Sequence, residues 1–312
     1  MKKSILVILI LCIATLGSLF AMNQSLSLGI LADTYDLLEP DDLSFTLIPN
    51  IEYKFGTIVE NAFTGFVYAD LPYKIGDDFD TLFPSAQVGI NYRIQSQKDA
   101  PFINMGLTTN FSQNQQPTTT TTLSALAHFY WYPYNQTQEY IVHNRYEELV
   151  EGIRFGFGLD VGADVNNLLE TPDIATDLNG ALVGRLLFGS SLSDHVWFFS
   201  NTTITLPHAK FELGSFSYML GADAHSNIQL AYMGKSFQMC VGALGSFSLN
   251  KIYTSAGFLT ENTYSYGFTL YGELSYFIIP RLNVLGGARF TGARASLDDE
   301  IYAYVSVNYF LI

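Results

Sequence analysis

His225, Ser226 and Asn227 stand side by side and offer, by residue type alone, a general base, a hydroxyl nucleophile and an amide to orient them. Their spacing argues against that chemistry. Neighbouring side chains of an extended strand point to opposite faces, so a base and a nucleophile that cooperate must be an even number of residues apart. Ser-Asn is also ordinary turn chemistry, and we expect no catalytic residue. His128, His143, His195 and His208 have neither the i, i+4 spacing nor the cysteine partners of a zinc site, so no metal is expected either. There is no Walker loop and no G-x-S-x-G elbow. Gly156 and Gly158 sit inside an alternating run, where glycine leaves space or lets a strand bend, and we expect no cofactor.

A better set of candidates is Glu52, Lys54, Arg93, Arg154, Asp160, Arg185, Glu273 and Arg289. Each falls on the polar side of an alternating segment. If those sides enclose a cavity, the eight charges line it, set its field and bias which solutes enter. Equally, they could pair across the cavity and brace or plug it, because enclosed charges find partners.

The elements that would position them are long strands. Side chains alternate with period 2 in a strand, and residues 45–55, 86–95, 102–112, 153–164, 237–248, 264–278, 282–293 and 301–312 follow that period. In 153–164, Ile153, Phe155, Phe157, Leu159, Val161 and Ala163 oppose Arg154, Gly156, Gly158, Asp160, Gly162 and Asp164. Less regular runs cover 24–34, 62–72, 121–132, 179–190, 195–206 and 209–234. Most span 10 to 13 residues, whereas soluble strands average about 5–6 and a tilted membrane strand needs roughly 9–11. The polar faces carry Gly, Ser, Thr, Asn and Gln more than Lys or Glu, which suits an enclosed lumen better than bulk water. Tyr53, Tyr92, Phe111, Phe129 with Trp131, Tyr266 and Tyr276 lie near the ends of their runs, where membrane girdles would place them.

Short connections are expected at 192–194, 226–227, 234–235 and 280–281, and longer ones at 36–43, 73–84, 113–120, 165–178, 249–263 and 294–300. Read literally the runs make fifteen strands, with 209–234 divided at Ser226-Asn227. A barrel with both ends on one side needs an even number. Either Gln138–Leu149 hides one more or 209–234 holds one fewer. Our expectation is an all-β, antiparallel up-and-down transmembrane β-barrel of about fourteen strands, with twelve to sixteen open.

The totals are consistent with that. The 312-residue chain is 48% hydrophobic, 15% aromatic and only 14% charged, too apolar for a disordered chain. Residues 1–21 read as a secretory signal peptide, Met1-Lys2-Lys3 leading an apolar stretch that ends near Ala21. Residues 22–312 form one domain. Cleavage would leave Cys240 as the single cysteine, so no internal disulfide forms. A net charge of −14 argues against a nucleic-acid partner. Acidic groups gather at Asp36, Glu39, Asp41 and Asp42, at Asp77, Asp78 and Asp80, and at Asp298, Asp299 and Glu300, which read as solvated loops because no EF-hand spacing occurs.

From the leader, the alternation across 24–312 and the terminal strand Ile301–Ile312, the chain resembles a bacterial outer-membrane β-barrel of porin or small-solute channel type. The resemblance is one of pattern. Such barrels usually finish on Phe or Trp, whereas here Leu311 and Ile312 follow Phe310. It implies residence in the outer membrane among its lipids, insertion by the barrel-assembly machinery, and passive or weakly selective passage of small polar solutes, with association of identical barrels left open. Alternatives are a closed surface barrel whose loops bind partners, and a fatty-acid-type transporter of apolar substrates. A barrel lipase built on His225 and Ser226 meets the parity objection above.

Overall fold

The computed structural model describes residues 23–35, 44–56, 63–75, 81–82, 84–97, 100–114, 120–141, 148–167, 175–212, 218–253, 257, 259–293 and 300–310. The expected signal peptide, the acidic groups at 36–42, 77–80 and 298–299, His143, and Leu311 and Ile312 lie outside the described residues.

Strands form where the alternation runs. They are β1 (Asn23–Tyr35), β2 (Ser44–Gly56), β3 (Phe63–Asp70), β4 (Tyr73–Ile75), β5 (Thr81–Leu82), β6 (Ser85–Gln95), β7 (Phe102–Asn114) and β8 (Thr120–Ile141). After these come β9 (Glu148–Asn166), β10 (Ala175–Ser191), β11 (Val196–Glu212), β12 (Tyr218–Met233), β13 (Phe237–Tyr253), β14 (Leu259–Ile279), β15 (Leu282–Ala293) and β16 (Glu300–Phe310). Neighbours pair antiparallel throughout. β1 pairs with both β2 and β16, which closes the ring, while the short β4–β5 hairpin hangs on β2. The wall therefore has fourteen strands. Closure gives the backbone donors and acceptors of each wall strand partners on both sides, which a sheet in hydrocarbon requires.

An even count puts Asn23 and Phe310 on one rim, called here the terminal rim. The segments 192–195, 234–236 and 280–281 turn at that rim, and the longer 36–43, 71–84 and 167–174 connect strands at the other. Residues 165–178 thus span the far rim from whichever end the strands are counted.

Two expectations need correction. Ser226-Asn227 is not a turn, because β12 runs through it, paired with β11 and β13. The stretch 209–234 holds the end of β11 and a single further strand, and the surplus fifteenth disappears. Turn chemistry failed because the sheet satisfies both side chains. Ser226 and Thr202 share a hydroxyl hydrogen bond of 2.9 Å, and Asn227 accepts the Tyr271 hydroxyl at 2.9 Å. Among the described residues, the alternative of a further strand within Gln138–Leu149 does not appear. Gln138–Ile141 finish β8 and Glu148–Leu149 begin β9. Strands β8 and β9 through β14 run 16 to 22 residues, beyond the 10 to 13 expected. This side of the wall is taller than a bilayer crossing demands.

Prolines mark where the ladder breaks. The register shifts between Trp131 and Tyr134 and between Thr205 and His208, the two steps that contain Pro133 and Pro207. At Pro49 the partner of β2 changes from β3 to β4. Proline has no N–H for the ladder, so these breaks fall where a donor is missing, whereas the shifts at Ile252/Tyr253 and Phe277/Ile279 occur without a proline.

The two faces separate as the alternation requires. Phe157, Leu159, Val161, Ile228, Leu270 and Val305 point outward and are 44–52% exposed, an apolar belt that water would penalise and lipid accommodates. Tyr92, Tyr266 and Tyr276 are exposed on that face as a girdle would be, but Tyr53 is buried beside Phe55 and Phe63, and Phe129 and Trp131 lie mid-strand because β8 continues to Ile141. Among the described residues no helix is long and apolar enough to span a membrane.

Candidate functional site: a charged belt inside the barrel

Several inward-facing side chains are exposed in the half of the barrel far from the termini, although Thr46 and Asp177 there are only 7% and 6% exposed, and burial predominates near the terminal rim. Asn110 and His225 are exposed, as are Leu126 and Leu244. Phe102, Gln238, Ser275, Asn283 and Ser306, all close to the terminal rim, are 0–6% exposed. Because every one of these points inward, the lumen narrows toward that rim.

The narrowing is built from rings that lie over glycines. The Tyr132 ring occupies the space beside Gly156, Tyr130 that beside Gly158, Tyr271 that beside Gly242, Tyr304 that beside Gly287 and Phe66 that beside Gly89. A Cβ at any of the five would collide with its ring. This is the use of Gly156 and Gly158: they leave space, and a neighbouring strand's aromatic takes it.

All eight candidate charges point into the lumen. Six lie in the half of their strand nearer the terminal rim. Asp160 and Arg289 sit farther along and reach the belt through partners, Asp160 accepting the Tyr130 hydroxyl at 2.5 Å and Arg289 facing Glu273 at 3.9 Å. On one wall, Arg185 lays its guanidinium 4.1 Å from the Tyr130 ring centroid and donates to that hydroxyl at 2.9 Å. Arg93 and Arg154 sit 4.8 and 5.0 Å from the Phe102 centroid, and Arg154 donates to Asn135 at 3.2 Å. Beneath them Phe102, Tyr130, Tyr132 and Val183 form a small buried cluster. Cation–ring contacts of this kind contribute about 0.5–2 kcal/mol each, more as water is excluded.

On strands β14 to β16, Tyr304 donates its hydroxyl to Glu273, Arg289 lies 5.4 Å from the Tyr304 centroid, and the Tyr271 hydroxyl donates to Asn227 and Gln229. In ring order this group lies opposite the arginine wall. Lys54 and Glu52 form a pair of their own at 3.1 Å, both about one-third exposed. The structure thus brings the candidates together in two clusters and one separate pair.

The aromatic partners of these charges do not stand out by charge or by motif. His128, Tyr130 and Tyr132 recur at every second position, Tyr130 and Tyr132 lying over Gly158 and Gly156 of the next strand and His128 over Gly106 of the preceding one. Rings on a polar face, facing glycines, are a signal that could have found them. Among the described residues no group of three or more His, Cys, Asp or Glu could hold a metal ion. His225 faces the lumen and Ser226 faces outward, as strand parity demands.

No family model matches the chain, and no curated protein matches it in sequence. Solved structures match in architecture. A monoaromatic hydrocarbon channel, CymD, is 9% identical with a TM-score of 0.48, the match covering 94% of this chain and 90% of that one. The outer-membrane channel DcaP of Acinetobacter baumannii is 9% identical at 0.45, covering 93% and 97%. A loop-deletion mutant of OmpT, an outer-membrane protein of Vibrio cholerae, is 8% identical at 0.44, covering 93% and 99%. With its ring closed and its apolar side chains turned outward, the chain folds as an antiparallel, fourteen-stranded β-barrel whose outer face suits a membrane.

Proposed function

We propose that the chain is a bacterial outer-membrane channel for passive or weakly selective passage of small polar solutes, exported by residues 1–21 and inserted by the barrel-assembly machinery. One observation carries this reading. Among the described residues none leaves the wall to cross the interior, and inner-face side chains such as Asn110 and His225 are exposed in the half away from the termini. A fourteen-strand ring is wide enough for a lumen unless side chains fill it. The eight inward charges would then act on solutes in transit. The test is conductance of the purified barrel in a planar bilayer. Discrete, ohmic steps support the channel, and a folded barrel that never conducts overturns it.

A closed surface barrel is the second reading. The near-complete burial of Asn283 and Ser306 at the terminal rim favours it, and the same non-conducting outcome would favour it further. We propose no catalytic role, because His225 and Ser226 open to different media. Carriage of an apolar substrate finds no support in the polar inner face.

A further inference from the structure

We propose that the lumenal belt prefers anions and that a recess beside it binds small organic anions bearing hydroxyl groups. This deepens the channel reading and rests on it. The protein carries a net charge of −14, yet the narrow part of its lumen runs against that sign. Lys54, Arg93, Arg154, Arg185 and Arg289 face Glu52, Asp160 and Glu273 there, five cations against three carboxylates. Of the inward carboxylates of the wider half, Asp70, Asp164 and Asp177 are taken up by neighbours, while Asp223 and Glu261 stand where the passage is wide and water screens them. The first three accept from Ser85 at 2.7 Å, Asn179 at 3.1 Å and Lys210 at 3.0 Å respectively. Charge acts most strongly where the passage is narrow and water is thin, so the belt sets the preference.

The recess lies on the inner wall of strands β2, β3 and β6 to β8. It measures about 300 Å³ and is lined by Lys54, Thr64, Phe66, Asn91, Thr108 and His128. That volume suits a small solute. It joins the belt through His128, whose ring stacks 5.1 Å from Tyr130, the ring under Arg185. Phe55 and Ile90 add apolar lining, and the polar groups suit one class of ligand. Lys54 meets a carboxylate, exchanging its partner Glu52, about one-third exposed, for the solute. Asn91, Thr64 and Thr108 meet hydroxyls, and the Phe66 ring, laid flat because Gly89 has no side chain, covers an apolar edge.

The test uses the folded barrel in planar bilayers under a potassium chloride gradient, with gluconate as the organic anion. A reversal potential of anion-preferring sign is expected, and each of Arg93→Gln and Arg185→Gln lowers the chloride-to-potassium permeability ratio roughly threefold. Arg185→Lys retains the preference and Asp223→Asn leaves its sign unchanged, separating charge from general disturbance. Gluconate reduces the chloride current, acetate does so less, and Lys54→Gln weakens the gluconate effect roughly threefold. A conducting barrel with no preference, or with potassium preferred, overturns the inference and leaves the channel standing. Gluconate block that is indifferent to Lys54 overturns the recess. Absence of any conductance in a barrel with heat-modifiable gel mobility overturns the channel itself.

Discussion

Glu273 serves two partners of unequal weight. Tyr304 gives it a hydroxyl hydrogen bond inside the narrowed lumen, a charge-assisted contact of about 1.5–3 kcal/mol. Arg289 approaches it only to 3.9 Å and is half exposed, so that ion pair contributes about 0–1 kcal/mol. The expected outcome is that Tyr304→Phe lowers the folding free energy by about 1–2 kcal/mol more than Arg289→Gln, read from urea unfolding in lipid vesicles. The ring-over-glycine contacts lead to a second prediction. In Gly156→Val the new side chain displaces the Tyr132 ring from its seat over Gly156, and the buried Phe102–Tyr132 stack, centroids 4.4 Å apart, goes with it. Overpacking of this kind costs about 1–3 kcal/mol. The same substitution at Gly245, whose Cβ position is open, should cost less in that assay.

A strand is where sequence parity becomes a physical difference between media. His225 and Ser226 are neighbours in β12, one in the lumen and one outward in mid-wall. An arginine on the lipid side near the bilayer midplane costs about 2–4 kcal/mol, while lumen substitutions are tolerated. Ser226→Arg is therefore expected to lower the yield of folded barrel on unboiled gels, with His225→Arg close to the parent protein. Equal yields for the two would mean that the faces are assigned wrongly. The prolines belong to this scale as well. Trp131 and Tyr134 both face outward because the β8–β9 ladder skips between them, where Pro133 lacks a donor.

For the whole molecule, the two surfaces differ in what touches them more than in how exposed they are. Leu126 and Phe129 lie three residues apart on β8 at 39% and 47% exposure, the first facing the lumen and the second outward. In a background with Cys12→Ser and Cys240→Ser, a water-soluble maleimide should label Leu126→Cys within minutes and Phe129→Cys far more slowly in lipid vesicles. Closure of the ring joins the first and last wall strands, β1 and β16, through a seam in which Leu28 meets Tyr309 and Ile30 meets Val307. Val307 is exposed on the lipid side of that seam, so Val307→Asp should lower the folded, heat-modifiable fraction while the chain is still made.

Much of this could be read from the chain alone, because alternation is a local property. Ile153 to Asp164 needed no partner to declare which side was greasy and which was small and polar, and that pattern, repeated, gave a barrel, its lipid face and the eight inward charges. What the sequence left undecided was non-local. Whether Ser226-Asn227 turned or continued depended on Thr202 and Tyr271 offering hydrogen bonds from other strands. Which charges met, and which rings lay over which glycines, depended on register, and one residue of slip would have separated Tyr130 from Gly158 and Arg185 from both. Local side-chain chemistry fixed the faces, and only closure of the ring fixed the neighbours.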